Sequence, residues 1–249
     1  MSVTLSELVG CLDDYLMIRT VRDDSRNGLQ VEGTPEVRSI ALAVDACFKA
    51  VESAASLGAD FLLVHHGLFW GAYQPLIGRM GSIVRKMNQE GLSLYAAHLP
   101  LDVHPEIGNN VTWAKRIGLD SWSPLGENGW GIVGSLKESI PLELLAEKAC
   151  VIGSQTPLIH AFGKREVKRL AVVTGSGTSL IREAVLAGSD CLLTGEPRHQ
   201  SFHEAEELGL NVIYAGHYAT ETLGLKALGE VLTAQWSLPF HFVDLPTGL

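Results

Sequence analysis

The chain has 249 residues, 46% of them hydrophobic, with 19 Lys and Arg set against 28 Asp and Glu for a formal charge of −9. This is the make-up of a globular protein of one large or two small domains, and an acidic balance with no local basic patch argues against nucleic acid or a membrane surface as a partner. The four cysteines, Cys11, Cys47, Cys150 and Cys191, stand far apart without a CxxC pair, so they suggest neither a zinc ribbon nor a disulfide framework and fit a reducing cytoplasm.

The first stretch, MSVTLSELVGCLDDYLMIRT, carries acidic residues and no basic segment followed by an apolar block. No run approaches the roughly 18 apolar residues of a membrane span, and a soluble, unprocessed protein is expected. Residues 39–66, SIALAVDACFKAVESAASLGADFLLVHH, then read as strand, turn, helix, strand. Short apolar runs bounded by Gly or Asp flank a segment in which Ala50, Val51, Ala54 and Ala55 recur at three to four residues. The second strand stops at His65 and His66. A core strand has no use for two adjacent titratable rings, because their nitrogens need partners and their charge is costly to bury. Something at the end of this strand binds nitrogen.

The next strand, LYAA at 94–97, leads to His98, a turn-like Leu99-Pro100 and Asp102. Between 120 and 168 come SWSPLGENGWG, a helix in SIPLELLAEKA, and another loop and strand; the Gly, Pro, Ser and Trp content marks a change of unit near 125. Residues 169–196, RLAVVTGSGTSLIREAVLAGSDCLLTGE, then fall on 39–66 without a gap, so that Gly188 answers Gly58 and Asp190 answers Asp60. IYAGHYATE at 213–221 likewise answers LYAAHLPLD at 94–102. The expected fold is therefore α/β with an internal pseudo-repeat, drawn as one lobe from 1–124 and 217–249 and a second lobe from 125–216. Similar halves facing each other would bring both sets of strand ends into one cleft.

Five residues at those strand ends and at one helix start are of metal-binding type: His65, His66, Asp102, His217 and Glu221. His217 and Glu221 lie four apart in GHYATETLGLKALGEVL, which reads as a helix and places both on one face. Adjacent histidines on a regular strand point to opposite faces, so His65 and His66 share a site only where the strand ends and twists. Singly each feature is ordinary: strand-end histidines are usually solvated, and HxxxE is often an ion pair. Their conjunction in repeated halves points to metal. Imidazole and carboxylate without thiolate suit Zn, Mn or Fe, and five ligands exceed what one catalytic ion takes, so two divalent transition-metal ions are expected.

Weaker signals accompany this set. His98 holds in HxxxD the place of His217 in HxxxE and suits a role beside the metal, orienting a ligand or moving a proton, as well as an ordinary place in the core. TGSGTS at 174–179 reads as a tight turn, with a phosphate cradle the lesser alternative because GK[ST] is missing. Glu196, His199 and His203 lack the pattern of a zinc protease and read as a helical surface, with a supporting role beside the metal the alternative for Glu196, which falls on His66 in the repeat. Phe69, Trp70 and Tyr73 suit stacking on a heterocycle, a core or a subunit contact.

The chain resembles the YbgI-like family of dinuclear-metal proteins, also called Nif-three-like and often labelled GTP cyclohydrolase I type 2 homologues. The resemblance rests on NGLQVEG at 27–33, GADFLLVHHGLFWG at 58–71, HLPLDVHPEIGNN at 98–110, TGSG at 174–177, TGE at 194–196 and AGHYATE at 215–221. It implies two interlocked α/β lobes, an ion pair held by His65, His66, Asp102, His217 and Glu221, and a toroidal homohexamer with the metal facing its interior. The apolar LFW at 68–70 agrees with such an assembly, since a lone monomer would cover it poorly. Two functions follow as expectations: a metal-dependent hydrolase of a small molecule, with a GTP cyclohydrolase-like reaction as one candidate and His98 assisting, or a non-catalytic metal store or scaffold.

Overall fold

Capped helices and short apolar strands set out the chain, and the computed structural model describes residues 2–151 and 156–249. Its contacts gather into two units, Met1–Leu101 with Leu225–Leu245, and Asp102–Gly224 with Pro246–Leu249. The first unit begins with β1 (Val3–Thr4) and α1 (Leu5–Tyr15). The start of α1 is fixed by a capping box, in which the Thr4 side chain accepts from the Glu7 N–H and the Glu7 carboxylate accepts from the Thr4 N–H. Next come β2 (Gly28–Val31), β3 (Glu36–Val37), β4 (Ile40–Asp45), α2 (Phe48–Ser56), β5 (Phe61–His66), α3 (Gly78–Glu90), β6 (Ser93–Ala96) and α4 (Leu99–Asp102). The second unit holds α5 (Asn109–Ile117), β7 (Trp122–Leu125), β8 (Gly131–Pro141), α6 (Leu142–Ala149), β9 (Leu158–His160), β10 (Glu166–Val172), α7 (Ile181–Leu186), β11 (Cys191–Thr194), α8 (His199–Leu208), β12 (Asn211–Tyr214) and α9 (His217–Thr220). Then α10 (Thr222–Trp236) returns the chain to the first unit, which closes with β13 (Phe240–Phe242).

The main sheet of the first unit has the order β13-β4-β5-β6-β2, with β2 alone antiparallel. Its central strands read as continuous apolar runs, and IALAV and FLLVH are buried throughout because both faces are covered. Ala50 and Val51 of α2 and Ile83 and Met87 of α3 pack on Ala43, Leu62, Val64 and Leu94 of that sheet. In the second unit the order is β7-β8-β10-β11-β12-β9, with β10, β11 and β12 parallel and antiparallel strands outside them. Here the alternation is plain: Leu170, Val172, Cys191 and Leu193 join one core with α5 and α6, while Ala171, Val173 and Leu192 join another with α7 and α8.

The repeat extends to hydrogen bonds. Gly58 and Gly188, with φ of +68° and +72°, end the two repeat helices in a conformation that suits glycine. Two residues on, Asp60 Oδ2 accepts from the Arg38 N–H at 2.8 Å, and Asp190 Oδ2 accepts from the Lys168 and Arg169 N–H groups at 3.0 and 2.9 Å. These carboxylates clamp each helix-to-strand turn to the preceding strand. The register then pairs Leu62 with Leu94 and Leu192 with Val212, so the second half carries one extra residue between its third strand and its histidine.

Three expectations are corrected. The change of unit falls at residue 102, not near 125, because Val111, Trp113 and Ile117 of α5 pack with Leu142, Leu145 and Leu170 in the second unit's core. The helix expected through GHYATETLGLKALGEVL is interrupted at Glu221. The Thr220 and Thr222 hydroxyls donate to the carbonyls of His217 and Ala219 at 3.0 and 2.9 Å, and such back-bonding bends a helix. The turn expected at Leu99-Pro100 is the single helical turn α4, whose start tolerates proline. The loop expected after α6 includes residues 152–155, which lie outside the described residues. Among the described residues no helix is long and apolar enough to cross a membrane.

Asp190→Ala removes the acceptor of two backbone N–H groups and should destabilise the protein by about 1–3 kcal/mol. A thermal melt of the variant is expected to show a clearly lowered midpoint, and an unchanged one would mean that the clamp adds nothing.

Candidate metal centre

In the first unit β5 lies between β4 and β6, and its two terminal histidines are held from opposite sides. His65 is buried and its Nδ1 lies 2.9 Å from the Ala97 carbonyl, beyond the end of β6. His66 Nδ1 lies 2.9 Å from Asp45 Oδ1, at the end of β4. Carbonyl and carboxylate oxygens only accept, so both rings carry their proton on Nδ1 and their lone pair on Nε2. The strand end brings the rings together as expected, with centroids 4.8 Å apart.

His98 joins them, with its ring centroid 5.0 Å from that of His65 and 5.5 Å from that of His66. Ligand atoms of these three histidines lie within 4.8 Å of one another. His98 Nδ1 faces Asp23 at 3.0 and 3.1 Å, and the Asp23 carboxylate also accepts from the Ser25 and Leu99 N–H groups and from Asn27 Nδ2. Burial works to raise the Asp23 pKa, but the bonds from His98, Asn27 and Ser25 outweigh it and hold the group at about 2. The NGLQ motif is thereby accounted for: Asn27 Oδ1 accepts from the His98 N–H at 2.7 Å, and Gln30 Oε1 accepts from the Leu68 N–H at 2.7 Å to pin the turn after the histidines. A side chain at Gly67 would run into Gln30.

The aromatic residues nearby divide. Leu68 and Phe69 pack into the core of the first unit, so LFW is largely covered within the unit and lends no support to an oligomer. Trp70 sets its ring edge-on to His98 at 4.8 Å, while Tyr73 is 90% exposed.

In the second unit Asp102 and Glu221 are buried carboxylates. Asp102 Oδ1 accepts from Asn109 Nδ2 at 2.8 Å and the Thr174 hydroxyl at 3.1 Å, and Asn109 is itself fixed by the Gly224 N–H. His217 stands between two carboxylates, its Nδ1 3.1 Å from Glu196 Oε2 and its Nε2 3.2 Å from Glu221 Oε1. Burial alone would lower its pKa, but hydrogen bonds to and charges on Glu221 and Glu196 raise it to about 9. Without metal His217 is therefore a cation at neutral pH.

In the TGSG turn the Gly175 N–H donates to the Thr220 hydroxyl at 3.0 Å and the Gly177 N–H to the Thr194 hydroxyl at 2.9 Å, so these two donors are spent internally, as suits a tight turn. Its role is close approach. Gly175 has φ of +62°, and a Cβ there would run into Glu221 Oε1; a Cβ on Gly195 would meet the backbone of His217. His199 and His203 lie on α8, and His203 pairs with Glu206 at 3.2 Å.

Imidazole Nε2 atoms and carboxylate oxygens without thiolate fit divalent transition metals, and a ring fixed through Nδ1 is the usual support of a metal-bound histidine. The residues that sequence reasoning missed are Asp23, Asp45, Asn109 and Thr174, whereas Glu196, which falls on His66 in the repeat, is already offered by the sequence as a support of the site. Asp45 was within reach, because it lies opposite His66 in the β4–β5 register.

A profile of the family described as Duf34/NIF3 (NGG1p interacting factor 3) matches residues 3–247. A Deinococcus radiodurans protein named GTP cyclohydrolase 1 type 2 homolog is 43% identical over 248 residues, which cover 98% of this chain and 94% of the relative. A relative of the same name from Pyrococcus horikoshii is 44% identical over 250 residues, 98% of each chain. Among solved structures, a protein called ybgI, of unknown function, matches with a TM-score of 0.92 and 35% identity over 99% of this chain and all of the other. Reduced HcgD from Methanocaldococcus jannaschii matches with a TM-score of 0.88 and 28% identity over 98% and 99%.

Two outcomes are expected. Gly175→Ala should displace Glu221 and lower metal content by elemental analysis while the circular dichroism spectrum stays native. Asp23 has a folded pKa below its ordinary value, so its contribution to stability is present above about pH 4 and is lost as pH falls through about 2. Melts of the native protein should fall through that window, and Asp23→Ala should be less stable at neutral pH with a shallower fall.

Proposed function

The chain belongs to the Duf34/NIF3 family, and from that premise we propose that it is a dinuclear metal-dependent hydrolase acting on a small molecule. In this proposal His65, His66, Asp102, His217 and Glu221 would hold two divalent transition-metal ions per chain, Zn, Mn or Fe. One observation carries it: Nδ1 of every candidate histidine is engaged by an oxygen acceptor, from Ala97, Asp45, Asp23 or Glu196. A histidine kept only for packing needs no such uniform support. Bound there, the ions would supply Lewis acidity and a water acidified toward neutral pH.

The protein's own groups do the rest. Asp45 and the Ala97 carbonyl fix the rings of His66 and His65, and Asn109 and Thr174 fix the plane of Asp102. His98, restrained by Asp23 and stacked edge-on by Trp70, is the group that moves a proton. The name borne by the relatives makes a guanine nucleotide one substrate to assay, and the same residues would serve phosphoesters or amides. We further propose a cytoplasmic, toroidal homohexamer. The wide spacing of the four cysteines, without a CxxC pair, agrees with the compartment, and the exposed Tyr73, Leu76 and Ile77 offer the apolar surface an assembly would cover.

Elemental analysis after chelator-free purification should give two ions per chain, and Asp102→Ala fewer than two. His217 keeps its proton up to about pH 9 without metal, so metal uptake at pH 7 should release a proton that His217→Ala does not. A pH-indicator titration reads this directly. Turnover on a panel of nucleotides, phosphoesters and amides should vanish with the metal and fall steeply in His66→Ala and Glu221→Gln. Two tightly held ions with no substrate turned over would instead mark a metal store or scaffold.

A further inference from the structure

A groove in the second unit starts beside His217 and leads away from it. Its first part is a cavity of about 620 Å³, with Glu196, Gly195 and Gly216 at one end and Tyr214, Tyr218 and Leu158 among its walls. Its second part, of about 450 Å³, shares Leu158 and Pro197 with the first and is lined further on by His160, Arg198, His199 and Phe202. The two parts adjoin at Leu158 and Pro197.

The chemistry changes along its length. At one end Glu196 has one oxygen on His217, and Gly195 and Gly216 leave the floor bare. The middle is apolar and aromatic: Leu158 and Phe202 are exposed large hydrophobics, and the Phe202 ring is held edge-on to His160 at 4.8 Å and to Phe162 at 5.1 Å. Burial lowers the pKa of His160, whose Nδ1 lies 3.2 Å from the Tyr214 hydroxyl. At the far end Arg198 and His199 are exposed, whereas His203 already faces Glu206. In a protein of charge −9 this guanidinium stands out, and among the described residues no carboxylate pairs with it.

We propose that this groove is the substrate channel of the metal centre and takes a small organic anion, its apolar body against Leu158 and Tyr218, its anionic group on Arg198 and His199, its reacting end at Glu196. The assignment rests on the dinuclear hydrolase described above for the identity of the reacting end, and on the groove alone for the rest. Its scale follows from the chain: Glu196 and Arg198 are two residues apart, so their Cα atoms are separated by at most about 7 Å. A substrate reaching from one side chain to the other is therefore a compact molecule. The apolar wall supplies most of the affinity, while the fork of Arg198 sets which end of the substrate enters first.

The test uses 1-naphthyl phosphate as a fluorescent anionic probe, with 1-naphthol and inorganic phosphate as its two halves. The purified protein should bind naphthyl phosphate saturably and more tightly than either half. Arg198→Gln should weaken the complex at least tenfold with little effect on naphthol, and Leu158→Asn should weaken both naphthyl compounds; both positions are exposed, so folding should survive. Stripping the metal with chelator should leave binding of the probe largely intact, since its charge rests on Arg198. Binding unchanged by Arg198→Gln, or lost with the metal, would overturn the proposal and place the phosphate on the ions. No saturable binding at millimolar probe would overturn it too. Metal content is measured in the same samples: if it is nil while the probe still depends on Arg198, the dinuclear hydrolase fails and the groove stands.

Discussion

The protein depends at its centre on the orientation of imidazole rings through Nδ1. A histidine has two chemically distinct nitrogens, and whichever donates a proton to a fixed acceptor leaves the other as a lone pair with a set direction. In this chain the acceptor is supplied four times, by a carbonyl for His65 and by carboxylates for His66, His98 and His217. Each acceptor comes from a neighbouring element, so the sheet order itself becomes part of the chemistry. His65 leans on the end of β6 and His66 on the end of β4, and β5 lies between those two strands. A register slip of one residue on β5 would turn both rings to the wrong faces at once.

Glycine provides the second constraint, at only two positions where it matters to the site. Gly175 and Gly195 bring two backbone turns against Glu221 and His217, where any side chain would collide. The Thr194 and Thr220 hydroxyls then consume the donors of the turn at Gly175 and Gly177. The N–H groups of both glycines in this turn are thus satisfied inside the protein, and Gly175 serves clearance.

Much of this was legible in the residues. The strand-helix-strand units, their repetition and the arrest of β5 at two histidines follow from hydrophobic spacing and from the cost of burying imidazole. Most supports of the site were not legible, because Asp23, Asn109 and Thr174 are ordinary polar residues until tertiary structure sets them opposite a ring or a carboxylate. Asp60 and Asp190 show the converse. The repeat marked them as strongly as any ligand, yet they clamp turns, since a carboxylate accepting backbone N–H groups leaves the same periodic trace as one awaiting a metal. The break in the last helix was hidden for a similar reason: Thr220 and Thr222 suit a helical pattern, and only their bonding to the preceding turn bends it.

The metal-free state has an electrostatic logic of its own. Glu196 and Glu221 flank His217 within 3.2 Å, and two carboxylates so close to one ring would repel strongly if it were neutral. The proton that raises its pKa to about 9 is thus a place-holder for the charge a metal would bring. Exchange of that proton for a divalent cation leaves the carboxylates compensated throughout, so the second unit need not rearrange to accept metal. Metal affinity in this unit is therefore expected to follow pH through His217, whose proton must leave before Nε2 can bind a cation.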